Sequence, residues 1–156
     1  MSDSVESPAP PLIVIVEDDE LAAFLFKRAL SAHGYAVTIS RGDDESLATL
    51  PDQRPAALLV DLHLGEMDGL ALLWRLRAQQ SLRYVPAAVI TGDYFTDARV
   101  SHELEALGIE LHLKPLWDDE LLRLVARLLK RPASSPTPDA SDKPRPRAVL
   151  TNQIVH

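Results

Sequence analysis

The segment LIVIVEDDE, residues 12–20, passes from five uninterrupted apolar residues directly into four acidic ones. Short, continuously apolar runs rich in β-branched residues are typical of strands buried on both faces of a parallel sheet. The sequence therefore predicts a buried strand over residues 12–16. Glu17, Asp18 and Asp19 are predicted to lie at its carboxyl end, where they either cap the following helix or belong to a site.

Strand and helix patterns alternate outward from this segment. Apolar runs predict buried strands over residues 57–60 and 87–90, and weaker alternation predicts strands over residues 35–40 and 109–113. A short helix is predicted around residues 44–50. Helical periodicity predicts four apolar faces, formed by Leu21, Phe24, Leu25 and Ala29; by Leu70, Leu73 and Trp74; by Val100, Leu104 and Leu107; and by Leu121, Val125, Leu128 and Leu129. Gly34 and Gly108 are predicted to end two of these helices.

Five successive strand–helix units define the predicted fold class. Such alternation favours an α/β protein with a parallel sheet and helices on both faces. Right-handed crossovers leave few topologies, of which we predict the flavodoxin-like (βα)5 doubly wound sheet with strand order 2-1-3-4-5. In this class the ligand crevice lies at the carboxyl ends of the strands.

Chemically active side chains follow four of the predicted strands at that edge: Glu17 and Asp18, Asp61, Thr91, and Lys114. Clustered carboxylates repel one another and need a cation or a proton to coexist. The chain has no cysteine, so oxygen ligands predict Mg²⁺ or Mn²⁺ as the cofactor. Lys114 and Thr91 can hold a phosphoryl group, for which a carboxylate can be the covalent acceptor. Taken singly, Asp61 could equally cap a turn, and Lys114 could be a solvated lysine.

Four motifs carry a resemblance to a known family: IVIVEDDE (13–20), LLVDLHLGEMDGL (58–70), VITGD (89–93) and LKPL (113–116). Over residues 11–131 the chain resembles the receiver domains of bacterial two-component systems. The resemblance implies that Asp61 accepts the phosphoryl group. It also implies that Asp18, Asp61 and the backbone carbonyl of His63 bind the metal directly, and that Glu17 acts through water.

The resemblance extends to the surroundings of the site. Thr91 matches the switch hydroxyl that turns toward the phosphoryl group, and Lys114 matches the lysine that pairs with it. The Lys114–Pro115 bond is cis in the family. Asp68 and Gly69 match a turn in which glycine can take a positive φ.

Two positions depart from the family pattern. Gly65 stands where the family usually has proline, which puts the stiffness of the loop after Asp61 in question. Leu111 stands where the family usually has an aromatic residue that rotates with the threonine, which puts the output switch in question. His63 and Asp93 flank the expected phosphoryl site, where they either pair across the entrance or remain exposed to solvent.

These features predict a signalling phosphoacceptor of a two-component phosphorelay and not a conventional enzyme. Its expected partners are a histidine kinase or histidine phosphotransfer protein, and a downstream protein on the face formed by the fourth helix, fifth strand and fifth helix. A homodimer is left open. The alternative is a receiver-like module that binds proteins without phosphorylation. An aspartate-nucleophile phosphatase is disfavoured because such enzymes require a second acid where this chain has His63.

Composition sets the remaining expectations. The net charge of −7 opposes direct binding to nucleic acid, and no apolar run approaches the roughly 18 residues of a membrane span. With no cysteine, the 156-residue chain fits a reducing compartment, and we expect a cytoplasmic location. We predict a loose lead-in over residues 1–11, a receiver domain over 12–131 and a flexible Pro/Ser-rich tail over 132–156. A stand-alone protein and a receiver excised from a larger protein both remain open.

Overall fold

The computed structural model describes residues 8–64, 67–92 and 98–131, without the side chain of Met67. The elements follow in chain order as β1 (Leu12–Val16), α1 (Glu20–Ala32), β2 (Ala36–Ser40), α2 (Asp44–Ala48), α3 (Leu50–Gln53), β3 (Ala57–Val60), β4 (His63–Leu64), β5 (Met67–Asp68), α4 (Gly69–Ala78), β6 (Ala87–Thr91), α5 (Ala98–Ala106), β7 (Glu110–Leu113) and α6 (Asp118–Leu129). A 3₁₀ turn over Gln80–Leu82 separates α4 from β6.

A five-stranded parallel sheet with the order β2-β1-β3-β6-β7 forms the centre of the molecule. Because β6 and β7 are its fourth and fifth strands along the chain, the predicted order 2-1-3-4-5 is confirmed. The sequence did not predict the small antiparallel pair β4–β5, which lies between β3 and α4.

The two faces of the sheet carry separate apolar clusters. Ile13 and Ile15 of β1 belong to the cluster that packs under α1 and α6. Val14 and Val16 belong to the cluster that packs under α4 and α5. Since successive side chains of a strand point to opposite faces, β1 is apolar throughout because both of its faces are covered.

The apolar face predicted for α1 is wrong. Leu21, Phe24 and Leu25 are 65%, 57% and 46% exposed. The buried side consists instead of Ala23, Phe26, Ala29 and Leu30. Both sets repeat at helical spacing, so periodicity alone could not distinguish the face that meets the sheet. Ala29 is the member of the predicted face that is buried.

The other predicted helices are confirmed. Their apolar residues lie in the two clusters, buried or partly buried, including Leu73, Val100, Leu104, Val125 and Leu128. Gly34 and Gly108 follow α1 and α5 with φ of 91° and 69°, as expected of helix-ending glycines. The helix predicted over 44–50 is two short helices, α2 and α3, that meet at Thr49.

Gly69 performs a different role from the one expected. It has no positive φ and is the first residue of α4. A Cβ at this position would lie 2.4 Å from the carbonyl oxygen of Leu62, so the absence of a side chain permits this close approach. Asp68 caps α4 by accepting hydrogen bonds from the backbone N–H groups of Leu70 and Ala71.

Within residues 8–64, 67–92 and 98–131, no helix combines the length and apolar character needed to cross a bilayer. The expected flexible tail over 132–156 and most of the lead-in over 1–11 lie outside the described residues.

Candidate functional site

Strand register brings the predicted site residues to one edge of the sheet. Val16 of β1 is opposite Val60 of β3, and Val60 is opposite Val89 of β6. Glu17 and Asp61 directly follow paired residues, so adjacent strands deliver them side by side. The sheet ladder continues into the site, because the backbone N–H of Asp61 donates to the carbonyl of Val16 at 3.0 Å.

Three carboxylates meet at this edge. Oxygens of Glu17, Asp18 and Asp61 all lie within 4.8 Å of one another. Glu17 and Asp61 are 3% and 7% exposed, whereas Asp18 is exposed. The cluster therefore has two acids at its base and one at its opening.

Lys114 connects the two buried carboxylates. Its Nζ donates to Glu17 Oε1 at 2.7 Å and to Asp61 Oδ2 at 3.2 Å. The backbone N–H of Lys114 donates to the carbonyl of Thr91 at 2.8 Å, which ties the end of β6 to the lysine. The Lys114–Pro115 peptide bond is cis, as the resemblance implied.

Backbone donors hold the remaining carboxylate oxygens. The N–H of Asp19 donates to Glu17 Oε2 at 3.2 Å, and the N–H of His63 donates to Asp61 Oδ1 at 3.0 Å. Each buried carboxylate is thus held at both oxygens, by the ammonium on one side and the backbone on the other. Such preorganisation fixes the direction in which an acceptor oxygen points.

The electrostatics of the site follow from burial and charge excess. Burial raises the pKa of Glu17 above its ordinary value, and Asp61 raises it further, while Lys114 acts in the opposite direction. Burial by itself would lower the pKa of Lys114, but its hydrogen bonds and charge interactions with Glu17 and Asp61 outweigh this effect and raise it. Among the residues that the structure describes at this edge, three carboxylates share one ammonium, so the cluster favours a further cation.

The donor set fits the predicted metal. Oxygen donors from Glu17, Asp18 and Asp61 suit a hard divalent cation such as Mg²⁺ or Mn²⁺, which binds through one or two carboxylates and keeps some of its waters. The ligand role expected for the carbonyl of His63 remains a prediction.

The two interpretations of the acidic triplet apply to different residues. Asp19 is the N-cap of α1, and its side chain accepts from the N–H groups of Leu21 and Ala22 at 2.9 and 3.2 Å. Glu17 and Asp18 belong to the carboxylate cluster instead.

Thr91 lies where the sequence predicted it, at the end of β6 and fully buried. His63 is exposed on β4, beside Asp61. Asp93 and Gly65 lie outside the described residues, so the proposed pairing of His63 with Asp93 and the effect of Gly65 remain predictions. Leu111 is partly buried and packs against the apolar cluster under α4 and α5.

The direct contact between Lys114 and Glu17 was not predicted. The resemblance paired Lys114 with a phosphoryl group and assigned Glu17 a contact through water. The two residues are 97 positions apart, so no local pattern connects them. The shared strand edge was the available signal, and it could give proximity but not the choice of partner.

Comparison with known proteins places the chain in one family. The model of the response regulator receiver domain matches residues 13–126, and the chain belongs to that family. Its fold is that of a two-component signalling domain.

Individual relatives agree with this assignment. The chain is 30% identical over 131 residues to the response regulator MprA of Mycobacterium sp. strain KMS, covering 84% of this chain and 56% of that protein. It is 30% identical over 127 residues to the transcriptional regulatory protein PrrA of Mycobacterium tuberculosis, covering 81% and 53%. The chain thus spans about half the length of these relatives.

Solved structures show the same architecture. The receiver domain of NtrX from Brucella abortus has a TM-score of 0.68 at 25% identity, with 77% of this chain and 99% of that one covered. The chemotaxis response regulator CheY4 of Vibrio cholerae has a TM-score of 0.68 at 23% identity, covering 77% and 99%, and supports the fold alone.

Proposed function

We propose that the chain accepts a phosphoryl group on Asp61 from a phosphohistidine donor and signals by a change of conformation. One observation carries this proposal. Asp61 is a buried carboxylate that contacts the Lys114 ammonium and lies within 4.8 Å of the oxygens of two further acids. A carboxylate in this position can act as a nucleophile toward phosphorus.

Each residue then has a part in the transfer. An oxygen of Asp61 attacks the phosphorus in line, a P–O bond forms, and the P–N bond to the donor imidazole breaks. Lys114 exchanges part of its contact with the carboxylates for a phosphoryl oxygen, and the hydroxyl of Thr91 donates to another. Glu17, Asp18 and Asp61 would hold Mg²⁺ or Mn²⁺, whose charge offsets that of the transferring oxygens.

The phosphoacceptor role is tested by Asp61→Asn. The variant and the wild-type protein are incubated with acetyl phosphate and Mg²⁺, and the phosphoryl adduct is measured by intact mass. We expect the adduct in the wild type and none in the variant. Asp19→Asn is the matched control, because Asn also caps helices well and residue 19 caps α1 without belonging to the carboxylate cluster. A phosphoryl adduct that persists in Asp61→Asn rules out the proposal.

The protein donor approaches across an apolar rim. Leu21 and Leu25 on the first turns of α1 and Trp117 at the start of α6 are exposed by 65%, 46% and 66%. Both helices begin next to the carboxyl edge of the sheet, so these side chains border the approach to Asp61. Exposed apolar residues beside a polar site are typical of protein-binding surfaces.

The variant Leu25→Ser distinguishes docking of the protein donor from the phosphoryl-transfer reaction at Asp61. We expect phosphotransfer from a cognate histidine kinase to fall at least about tenfold, the effect of losing one well-packed apolar contact. Labelling by acetyl phosphate should stay unchanged, because residue 25 is not in the site. Equal loss with both donors would show that the substitution damages the site and not a docking surface.

The conformational change on phosphorylation is proposed to occur on the face formed by α5, β7 and α6. Thr91 and Lys114 are joined through their backbones at the edge of this face, and Leu113 of β7 is 42% exposed there. Hydrogen exchange with and without beryllofluoride tests this assignment. We expect altered protection in residues 98–113, and unchanged protection there would exclude this face as the output.

A further inference from the structure

One polar contact joins α4 to α5 away from the phosphoryl site. Trp74 of α4 is 9% exposed, and its Nε1 donates to Glu103 Oε1 of α5 at 3.0 Å. The side chain of Glu103 is 16% exposed, and its other oxygen pairs with Arg99 Nε at 3.3 Å. Glu103 is therefore held by the indole N–H of Trp74 on α4 and by the guanidinium of Arg99 on its own helix, α5.

This contact adds a polar attachment to the apolar packing of α5. Leu104 is the buried residue within the helix, with Val100 partly buried beside it and Leu107 following. An N–H bond to a carboxylate is stronger than a bond between neutral groups, and partial shielding from water strengthens it. Because the buried side of α5 is narrow, a bond of this kind contributes to the position of the helix.

The same region receives the side chain that replaces the family's switching aromatic. Leu111 packs against the apolar cluster that contains Trp74 and Leu104. Leu111 is opposite Val89 in the sheet, and Val89 lies two residues before Thr91 on β6. Leu111 has no aromatic ring and no side-chain hydrogen-bonding group, so it cannot form a polar contact between these elements, whereas Trp74 and Glu103 do.

We propose that the Trp74–Glu103 hydrogen bond is a latch that holds α5 against α4 and opens when Asp61 is phosphorylated. The inference rests on the proposed phosphoacceptor function. It assigns to Trp74 and Glu103 the switching contact that Leu111 cannot make. The latch disfavours the phosphorylated state by some factor in the equilibrium between the two states. By linkage, removing the latch favours the phosphorylated state by that same factor.

Tryptophan emission reports the latch directly. The chain has two tryptophans, and the second, Trp117, is exposed. In a Trp117→Phe background, Trp74 is the remaining emitter. With Mg²⁺ present, beryllofluoride should shift the Trp74 emission, because the indole loses its carboxylate partner.

Two variants and one control test the coupling. Glu103→Gln weakens the bond by removing its charge, and Trp74→Phe removes the N–H donor while keeping a ring in the apolar cluster. Both should bind beryllofluoride about fivefold more tightly than wild type, measured by fluorine NMR, which is the factor expected for losing one modest coupling. Glu105→Gln, an equal charge change at an exposed position of α5, should not alter the affinity.

The outcomes separate this inference from the function beneath it. If beryllofluoride binds but the Trp74 emission does not change, or both latch variants keep the wild-type affinity, the latch is wrong and the phosphoacceptor function stands. If beryllofluoride does not bind to the wild type with Mg²⁺ and Asp61 cannot be labelled, both are overturned. A shifted emission together with tighter binding in both variants supports the latch.

Discussion

Two ionic clusters at opposite ends of β7 use similar residues to opposite effect. The site cluster, formed by Glu17, Asp18, Asp61 and Lys114, has more carboxylates than cations. The Glu110 cluster has one carboxylate and several donors. Glu110 accepts from Arg127 at 2.5 Å, from Arg131 at 2.8 Å and from His112 at 3.0 Å.

The pKa values of the two glutamates move in opposite directions. Burial raises the pKa of Glu17, and its carboxylate neighbour adds to that effect. Burial alone would also raise the pKa of Glu110, but the hydrogen bonds and charges of its Arg and His neighbours outweigh burial and lower it. The Glu110 cluster is therefore electrostatically complete and fastens β7 to α6. The site cluster keeps an excess of negative charge, which favours the binding of a metal cation at a phosphoryl site.

Lys114→Met should have the largest effect, because it removes the ammonium that contacts both buried carboxylates of the site cluster. We expect the rate of labelling by acetyl phosphate to fall about 100-fold or more, as when one preorganised donor to a transition state is lost. Affinity for Mg²⁺ should rise, because a positive charge leaves the site. Lys130→Met, at the exposed end of α6, is the matched control. A labelling rate within about twofold of wild type would contradict the role of Lys114.

The second-largest expected effect is the response of stability to Mg²⁺, which should depend on the site cluster and not on the Glu110 cluster. Mg²⁺ at 100 times its Kd should raise the free energy of unfolding by about 2.7 kcal/mol, measured by urea denaturation. Asp18→Asn should lose much of this gain at the same Mg²⁺ concentration, since it removes a ligand. Glu110→Gln should keep the whole gain. An equal response to Mg²⁺ in wild type and Asp18→Asn would place the cation elsewhere.

Glu110→Gln should have the smallest effect, a loss of up to about 1 kcal/mol in the free energy of unfolding at neutral pH, because Arg127 is half exposed. The pKa of Glu110 is below its ordinary value of 4.5 in the folded protein. Its contribution is therefore fully present above pH 4.5 and disappears as the pH falls through the lowered pKa. His112, Arg127 and Arg131 are the groups that face the carboxylate. Urea denaturation from pH 7 downward measures the difference, and a gap that widens on acidification would refute this assignment.

The fold and the centre of the site could be predicted from the sequence because both depend on local patterns. Uniformly apolar strands predict a parallel sheet that is covered on both faces. Residues directly after the strands of such a sheet lie at its carboxyl edge. That rule predicts that Glu17, Asp61 and Lys114 lie together.

The remaining features depend on relations that local patterns do not contain. α1 carries two apolar stripes at helical spacing, and only the docking of the helix on the sheet decides that Phe26 is buried and Phe24 exposed. The Trp74–Glu103 bond spans 29 positions, and Arg127 reaches Glu110 across 17. Choices of partner at such separations are set by packing geometry.

The glycines of the site region differ in how freely they can vary over evolutionary time. Among the residues that the structure describes, a methyl group added at Gly92 would meet nothing within 4 Å, so none of these neighbours restricts that position. At Gly69 the same methyl group would lie 2.4 Å from the Leu62 carbonyl oxygen, one residue after Asp61. Any larger residue there would push α4 away from the loop that carries the acceptor. Selection that preserves Asp61 must therefore also preserve Gly69, although Gly69 has no chemical part in the reaction.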